Sequence, residues 1–203
     1  GGAELLIIRR PGHEVPGNTQ RYLFPSPHLE RSKTPDVRNR SFSITARVAR
    51  SAGDDGVLVA SGARTGGYTF FVKDDHLAFT YNRLGVMHEV VASEPLPEGV
   101  LDLTVRYNKT EDHRGVATLG CAAVNEDGSA TELGSGAIET LPYRQTTYGM
   151  SLGKDSGPTV TDTYDGSFEF GGKLAWVEWT LDDDRADLAK AADVEHEVQL
   201  MEQ

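Results

Sequence analysis

Residues able to attack, transfer a proton or bind a metal are present in this chain, but they are not spaced for a reaction centre. There is no G-x-S-x-G elbow and no phosphate-cradling G-x-x-x-x-G-K-[ST]. His196-Glu197 is followed by Val198, Gln199 and Leu200, so no H-E-x-x-H zinc pair forms. The six histidines, at 13, 28, 76, 88, 113 and 196, have no metal-ligand spacing and read as structural or solvent-facing. Glycoside hydrolysis needs two carboxylates about 5 to 10 Å apart on one face. Glu195 and Glu197 have the i, i+2 spacing, but they fall in an acidic tail.

The segment richest in ligand chemistry runs from 149 to 174, GMSLGKDSGPTVTDTYDGSFEFGGKL. Asp155, Asp162 and Asp165 could offer carboxylates to a calcium ion. The spacing lacks a dense D-x-D-x-D-G run, however, and the favoured reading is structural. In that reading Asp155 and Asp165 accept backbone N–H bonds while Tyr164, Phe168 and Phe170 bury the loop. Aromatics that could stack on a sugar ring cluster in two successive strands, as Tyr68, Phe70, Phe71, Phe79 and Tyr81. Alternation puts Tyr68 and Phe70 on one face and Phe71 on the other, while Phe79 and Tyr81 share a face, so most must be core. Tyr68, Asn82, Arg83 and Tyr164 are the ligand-binding candidates.

The elements that would hold these residues are strands. Short runs of period-two alternation bounded by Gly, Asp, Asn or Pro begin at 40–50 and continue at 56–61, 67–73, 76–82, 86–92 and 100–107. Further runs follow at 115–124, 132–138, 147–152 and 173–181. Phe42, Ile44, Ala46 and Val48 alternate with Ser41, Ser43, Thr45 and Arg47, as a half-buried antiparallel strand requires. GDDG at 53–56, KDDH at 73–76 and NEDG at 125–128 read as hairpin turns. The fold class is therefore all-β, a two-sheet antiparallel sandwich of jelly-roll or concanavalin-like type spanning 39–181. Residues 1–38, with prolines at 11, 16, 25, 27 and 35, read as an arm wrapping the sandwich, and 21–25 could add an edge strand. Residues 182–203 read as an acidic tail, helical or disordered, with Asp182 to Asp184 placed to cap the helix.

Composition narrows the partners. With 20 Lys and Arg against 31 Asp and Glu, the net charge of −11 disfavours nucleic acid and anionic membranes. A sulfated or carboxylated ligand would need a local basic patch. The single cysteine, Cys121, cannot form an internal bridge and reads as packed in a strand. No run approaches the roughly 18 apolar residues that span a bilayer, and the N-terminus lacks a basic region followed by an apolar stretch. The chain is expected to be soluble, with its compartment open.

An ordered series of fragments resembles the C-terminal accessory β-sandwich domain of bacterial arylsulfatase-type sulfatases. The series begins at Pro35-Asp36-Val37-Arg38-Asn39-Arg40-Ser41-Phe42-Ser43-Ile44-Thr45-Ala46 and continues through Gly56-Val57-Leu58-Val59-Ala60-Ser61-Gly62 and Gly67-Tyr68. Tyr81-Asn82, Leu96-Pro97-Glu98-Gly99, the 153–174 block and the last strand complete it, over about two thirds of the chain. In that family the domain is appended to an α/β catalytic domain that carries a C-x-[PS]-x-R motif and the metal ligands. Here Cys121 is followed by Ala122, Ala123, Val124 and Asn125, so no catalytic residue carries over. The resemblance implies a non-catalytic domain that packs on a sulfatase-like catalytic domain, absent from this chain, or shapes its substrate entrance. The lectin-like strand pattern alone implies the alternative, a free-standing carbohydrate-binding module.

Overall fold

The computed structural model describes residues 18–128, 130–142 and 148–184. Among them eleven strands form two antiparallel sheets. The strands are β1 (Thr19–Leu23), β2 (Phe42–Arg50), β3 (Gly56–Ala63), β4 (Gly66–Lys73), β5 (His76–Arg83) and β6 (Val86–Val91). They continue with β7 (Gly99–Glu111), β8 (Arg114–Ala123), β9 (Thr131–Glu139), β10 (Met150–Leu152) and β11 (Lys173–Leu181). One sheet has six strands in the order β1-β11-β2-β7-β8-β9, and the other has five in the order β10-β3-β4-β5-β6. This is the sandwich expected from the alternation.

The period-two pattern becomes burial in the way pleating dictates. Along β2 every second side chain from Phe42 to Arg50 is buried, and the residues between are half-buried. Phe42, Ile44, Leu103, Val105 and Trp179 from the six-stranded sheet meet Leu58, Phe70, Leu77 and Phe79 from the other. Each such side chain contributes about 1.5–3 kcal/mol relative to exposure. Trp179 stands edge-on to Tyr22 at 5.3 Å, and its Nε1 donates to the Tyr68 hydroxyl at 3.2 Å. An indole can be buried at this depth because its N–H has that partner.

One inter-sheet connection differs from the sequence reading. GDDG at 53–56 is not a hairpin turn, because β2 and β3 lie in different sheets and the segment carries the chain across the sandwich. KDDH at 73–76 does close the β4–β5 hairpin, and NEDG lies in the β8–β9 connection. The acids at these turns bond one another's backbones as well as their own. Asp55 accepts the Asp74 and Asp75 N–H groups at 2.7 and 3.0 Å, while Asp75 accepts the Gly53 N–H at 2.7 Å. The corner and the hairpin are thereby clipped together.

The arm is structural where it is described. Its β1 pairs with β11 at the edge of the six-stranded sheet, and Leu29 then exchanges both backbone hydrogen bonds with Met150, at 2.8 and 2.9 Å. The arm thus closes one side of the sandwich from sheet to sheet. Asp182 to Asp184 are fastened to the body, in contrast to the expected tail. Asp182 forms a two-point pair with Arg106, and the Asp184 carboxylate accepts the Ser41 N–H and hydroxyl. The expected helix beyond them lies outside the described residues. Cys121 is buried in β8, as expected, and burial pushes its thiol pKa up.

Candidate functional site

Strands β3 to β5 are buried on both faces. Val57, Ala60, Phe71 and Ala78 point away from the main core, yet each is no more than 4 % exposed. Their cover is the segment between Gly153 and Gly172, which lies across the outer face of the five-stranded sheet and lays Val160, Tyr164 and Phe168 on them. Tyr164 meets Phe71 edge-on at 5.2 Å and stacks on Phe168 at 5.0 Å. Gly153 N–H donates to Leu58 carbonyl and Val57 N–H to Phe168 carbonyl, tying both ends of the segment to β3.

A buried polar knot fixes the segment. The Tyr164 hydroxyl donates to Asp155 Oδ2 at 2.8 Å, so the Thr69 hydroxyl, 2.9 Å away, donates to Tyr164. Val160 N–H also donates to Asp155 Oδ2, at 3.0 Å. Burial raises the Asp155 carboxyl above its ordinary value, partly opposed by these bonds, and burial together with Asp155 raises the Tyr164 phenol. From β5, the Asn82 amide donates to the carbonyls of Val160 and Arg64, each at 2.8 Å, while its oxygen accepts the Gly85 N–H at 2.7 Å.

The sequence-derived ligand candidates are mostly consumed in this architecture. Tyr68 is 4 % exposed and faces the main core with its hydroxyl on Trp179, so it offers no platform to a ligand. Asn82 and Tyr164 are buried and hold the segment in place. Arg83 is half-buried at the end of β5, apart from both clefts described below. The three aspartates do not converge. Asp155 is buried, Asp162 faces Arg64 at 3.6 Å in the open, and Asp165 is exposed. Among the described residues no group of three or more His, Cys, Asp or Glu side chains is placed to hold a metal ion.

Among the described residues two clefts flank the segment on the outer face. One, of about 330 Å³, has Phe71 and Ala78 as floor and Lys73, Glu89 and Thr163 on its rim. Two of its polar groups are engaged: Lys73 Nζ donates to Thr163 carbonyl at 2.6 Å, and Glu89 accepts the Thr80 and Thr163 hydroxyls at 2.8 Å each. The other cleft, of about 200 Å³, has Ala60 and Gly62 of β3 in its lining and draws the rest from three further stretches. The arm supplies His28, the approach to β10 and β10 itself supply Tyr148, Gly149 and Ser151, and the covering segment supplies Asp155 and Ser156. His28 Nδ1 lies 2.8 Å from Ser151 Oγ, and Ser151 in turn meets the Ser156 hydroxyl. Tyr148 stands beside this row, 47 % exposed, with Gly157 under its ring. An exposed aromatic face next to three side chains that both donate and accept is a surface suited to a polyol.

Sequence reasoning missed this cleft. His28 and Ser151 lie 123 positions apart and meet only because Leu29 bridges to Met150. The nearest available signal was an aromatic next to a glycine at the head of a strand, Tyr148-Gly149.

No protein-family model and no curated protein matches this sequence. Solved structures do resemble the fold. The CBM40 domain of the Ruminococcus gnavus IT-sialidase, bound to α2,6 sialyllactose, superposes with a TM-score of 0.50 at 12 % identity, over 78 % of this chain and 89 % of that one. The same domain bound to α2,3 sialyllactose gives 0.50 at 12 % identity, over 73 % and 80 %. Domains LG4-5 of the mouse laminin α1 chain give 0.49 at 14 % identity, over 75 % of this chain, which spans 39 % of that one. The two sheets and the CBM40 superpositions make the chain an antiparallel β-sandwich of jelly-roll type.

Proposed function

We propose that this chain is a non-catalytic carbohydrate-binding module whose site is the His28–Tyr148–Ser151–Ser156 cleft. The observation that carries the reading is the exposed Tyr148 ring set against a row of imidazole and hydroxyl groups on the outer face of the five-stranded sheet. A sugar ring has an apolar face for the phenol and hydroxyls for the row. The solved CBM40 structures named above hold sialyllactose, which agrees with a glycan ligand on this type of sandwich. The Ser151–His28 pair has the types of a nucleophile and a base. Hydrolysis would further need a group to orient the imidazole through its second nitrogen. Among the described residues that nitrogen lies beside Gly149, 3.0 Å from where a Cβ on that residue would sit.

The sulfatase-domain fragments fall on residues that build the frame. Ser41 to Ala46 lie in or beside β2, Gly56 to Gly62 form β3, Asn82 locks the covering segment and Leu96 receives Arg50. An accessory role beside a sulfatase-like catalytic domain is a second proposal, carried by those fragments alone. An in-frame C-x-[PS]-x-R upstream in the native gene would support it, and a start codon there would overturn it.

Tyr148→Ala is expected to weaken glycan binding about thirtyfold, the cost of removing one aromatic anchor worth about 2 kcal/mol. Its melting temperature should stay close to that of the native chain, because nearly half the ring is already in solvent. A glycan array followed by calorimetry reads both effects. Silence of the native chain across the whole array would overturn the glycan reading.

A further inference from the structure

From the charge at the same cleft we infer that its ligand is an uncharged sugar residue, and that sialylated or sulfated glycans are rejected; this rests on the glycan-binding reading above. Among the described residues lining the cleft none is Lys or Arg, and the carboxylate present is Asp155. Arg64 is turned outward to Asp162, with 70 % of its side chain exposed, and Lys154 is exposed beside the cleft without lining it.

An acidic sugar brings a carboxylate or sulfate that must shed water on entering. Recognition of such groups relies on charge-assisted hydrogen bonds, most effectively from a guanidinium fork. Here the incoming anion would meet hydroxyls and an imidazole, with the buried Asp155 carboxylate beside them and no Lys or Arg among the described lining residues. Desolvation and like-charge repulsion would then act together, with no Lys or Arg among the described lining residues to offset them. The overall excess of 31 acids over 20 bases sets the long-range field the same way, slowing the approach of anions.

A neutral sugar brings no charge to desolvate or repel. Ser151, Ser156 and His28 can each donate or accept, which suits hydroxyls whose orientation adapts. Size narrows the ligand further. At about 200 Å³ the cleft lies below the roughly 300–1,000 Å³ typical of pockets for drug-sized ligands, so it takes one ring, at a chain end or a branch.

The test uses the whole chain and matched pairs: lactose with α2,3 sialyllactose and 3′-sulfated lactose, alongside a wider array of neutral oligosaccharides and their acidic counterparts. The expected result is binding confined to neutral members, with each acidic counterpart at least tenfold weaker and with that gap narrowing as salt screens the repulsion. Equal or tighter binding of the acidic members would overturn the charge argument and leave the glycan reading standing. Binding to no glycan of either kind would overturn both.

Discussion

Asp155→Ala is expected to lower stability by about 3 kcal/mol and to abolish ligand binding at the His28–Tyr148 cleft. The truncation leaves the buried Tyr164 hydroxyl and Val160 N–H without their acceptor, and an unsatisfied buried group costs about 1–3 kcal/mol. Ser156 and Gly157 follow directly on this residue, so the cleft wall loosens with the knot. Asp155→Asn keeps one acceptor oxygen and should fall between the two. The pH dependence has a defined sign. The folded-state pKa of Asp155 lies above its unfolded value of about 3.8, so its contribution favours the fold most below that value. The contribution declines as pH rises through the raised folded value. Melting temperatures measured from pH 3 to 8 should therefore show a downward component in the native chain that is missing from Asp155→Asn. Identical pH profiles for the two proteins would sink the assignment.

Arg50→Met is expected to cost about 3 kcal/mol and to free three connections at once. Alternation along β2 sends this guanidinium inward, and its side chain has no solvent exposure. It is tolerated there because Nη1 donates to the carbonyls of Leu96 and Pro97 at 3.1 and 3.0 Å, and Nη2 pairs with Asp75. Hydrogen bonds from a charged donor are each worth about 1.5–3 kcal/mol. Arg50→Lys should recover only part of the loss, since an ammonium lacks the planar fork that reaches several acceptors. The Asp75 carboxyl is held below its ordinary value by the Gly53 N–H and then by Arg50. Its contribution is present above the unfolded value and lost as pH falls through the lowered one, opposite to Asp155. Chemical denaturation of the two variants checks the ranking. An Arg50→Met protein within about 0.5 kcal/mol of native would refute it.

The strands were legible because each has one face on a continuous core. Phe42, Ile44, Ala46 and Val48 state that in sequence, and the structure places them there. Parity also assigned Phe71 and Tyr68 to opposite faces, which the structure bears out. Parity could not say that both faces are sealed. The run Val57-Leu58-Val59-Ala60 carried that information, since an unbroken apolar stretch marks a strand covered on both sides. Its bulge at Leu58 disturbs the alternation as well. GDDG was misread because an Asp-Gly cluster reverses a chain within one sheet or between two by the same local chemistry. The site was hidden for a different reason. His28, Tyr148 and Ser156 are drawn together by strand pairing between distant segments, and no local pattern encodes that neighbourhood.

The lone thiol gives this molecule an internal clock. Cys121 sits buried in β8, between β7 and β9, and burial suppresses its thiolate. An alkylating reagent reaches that sulfur when its strand pairing opens, so the labelling rate reports the opening of β8 against its neighbours. With a single sulfhydryl in the chain, every modified molecule records one such event at a known address.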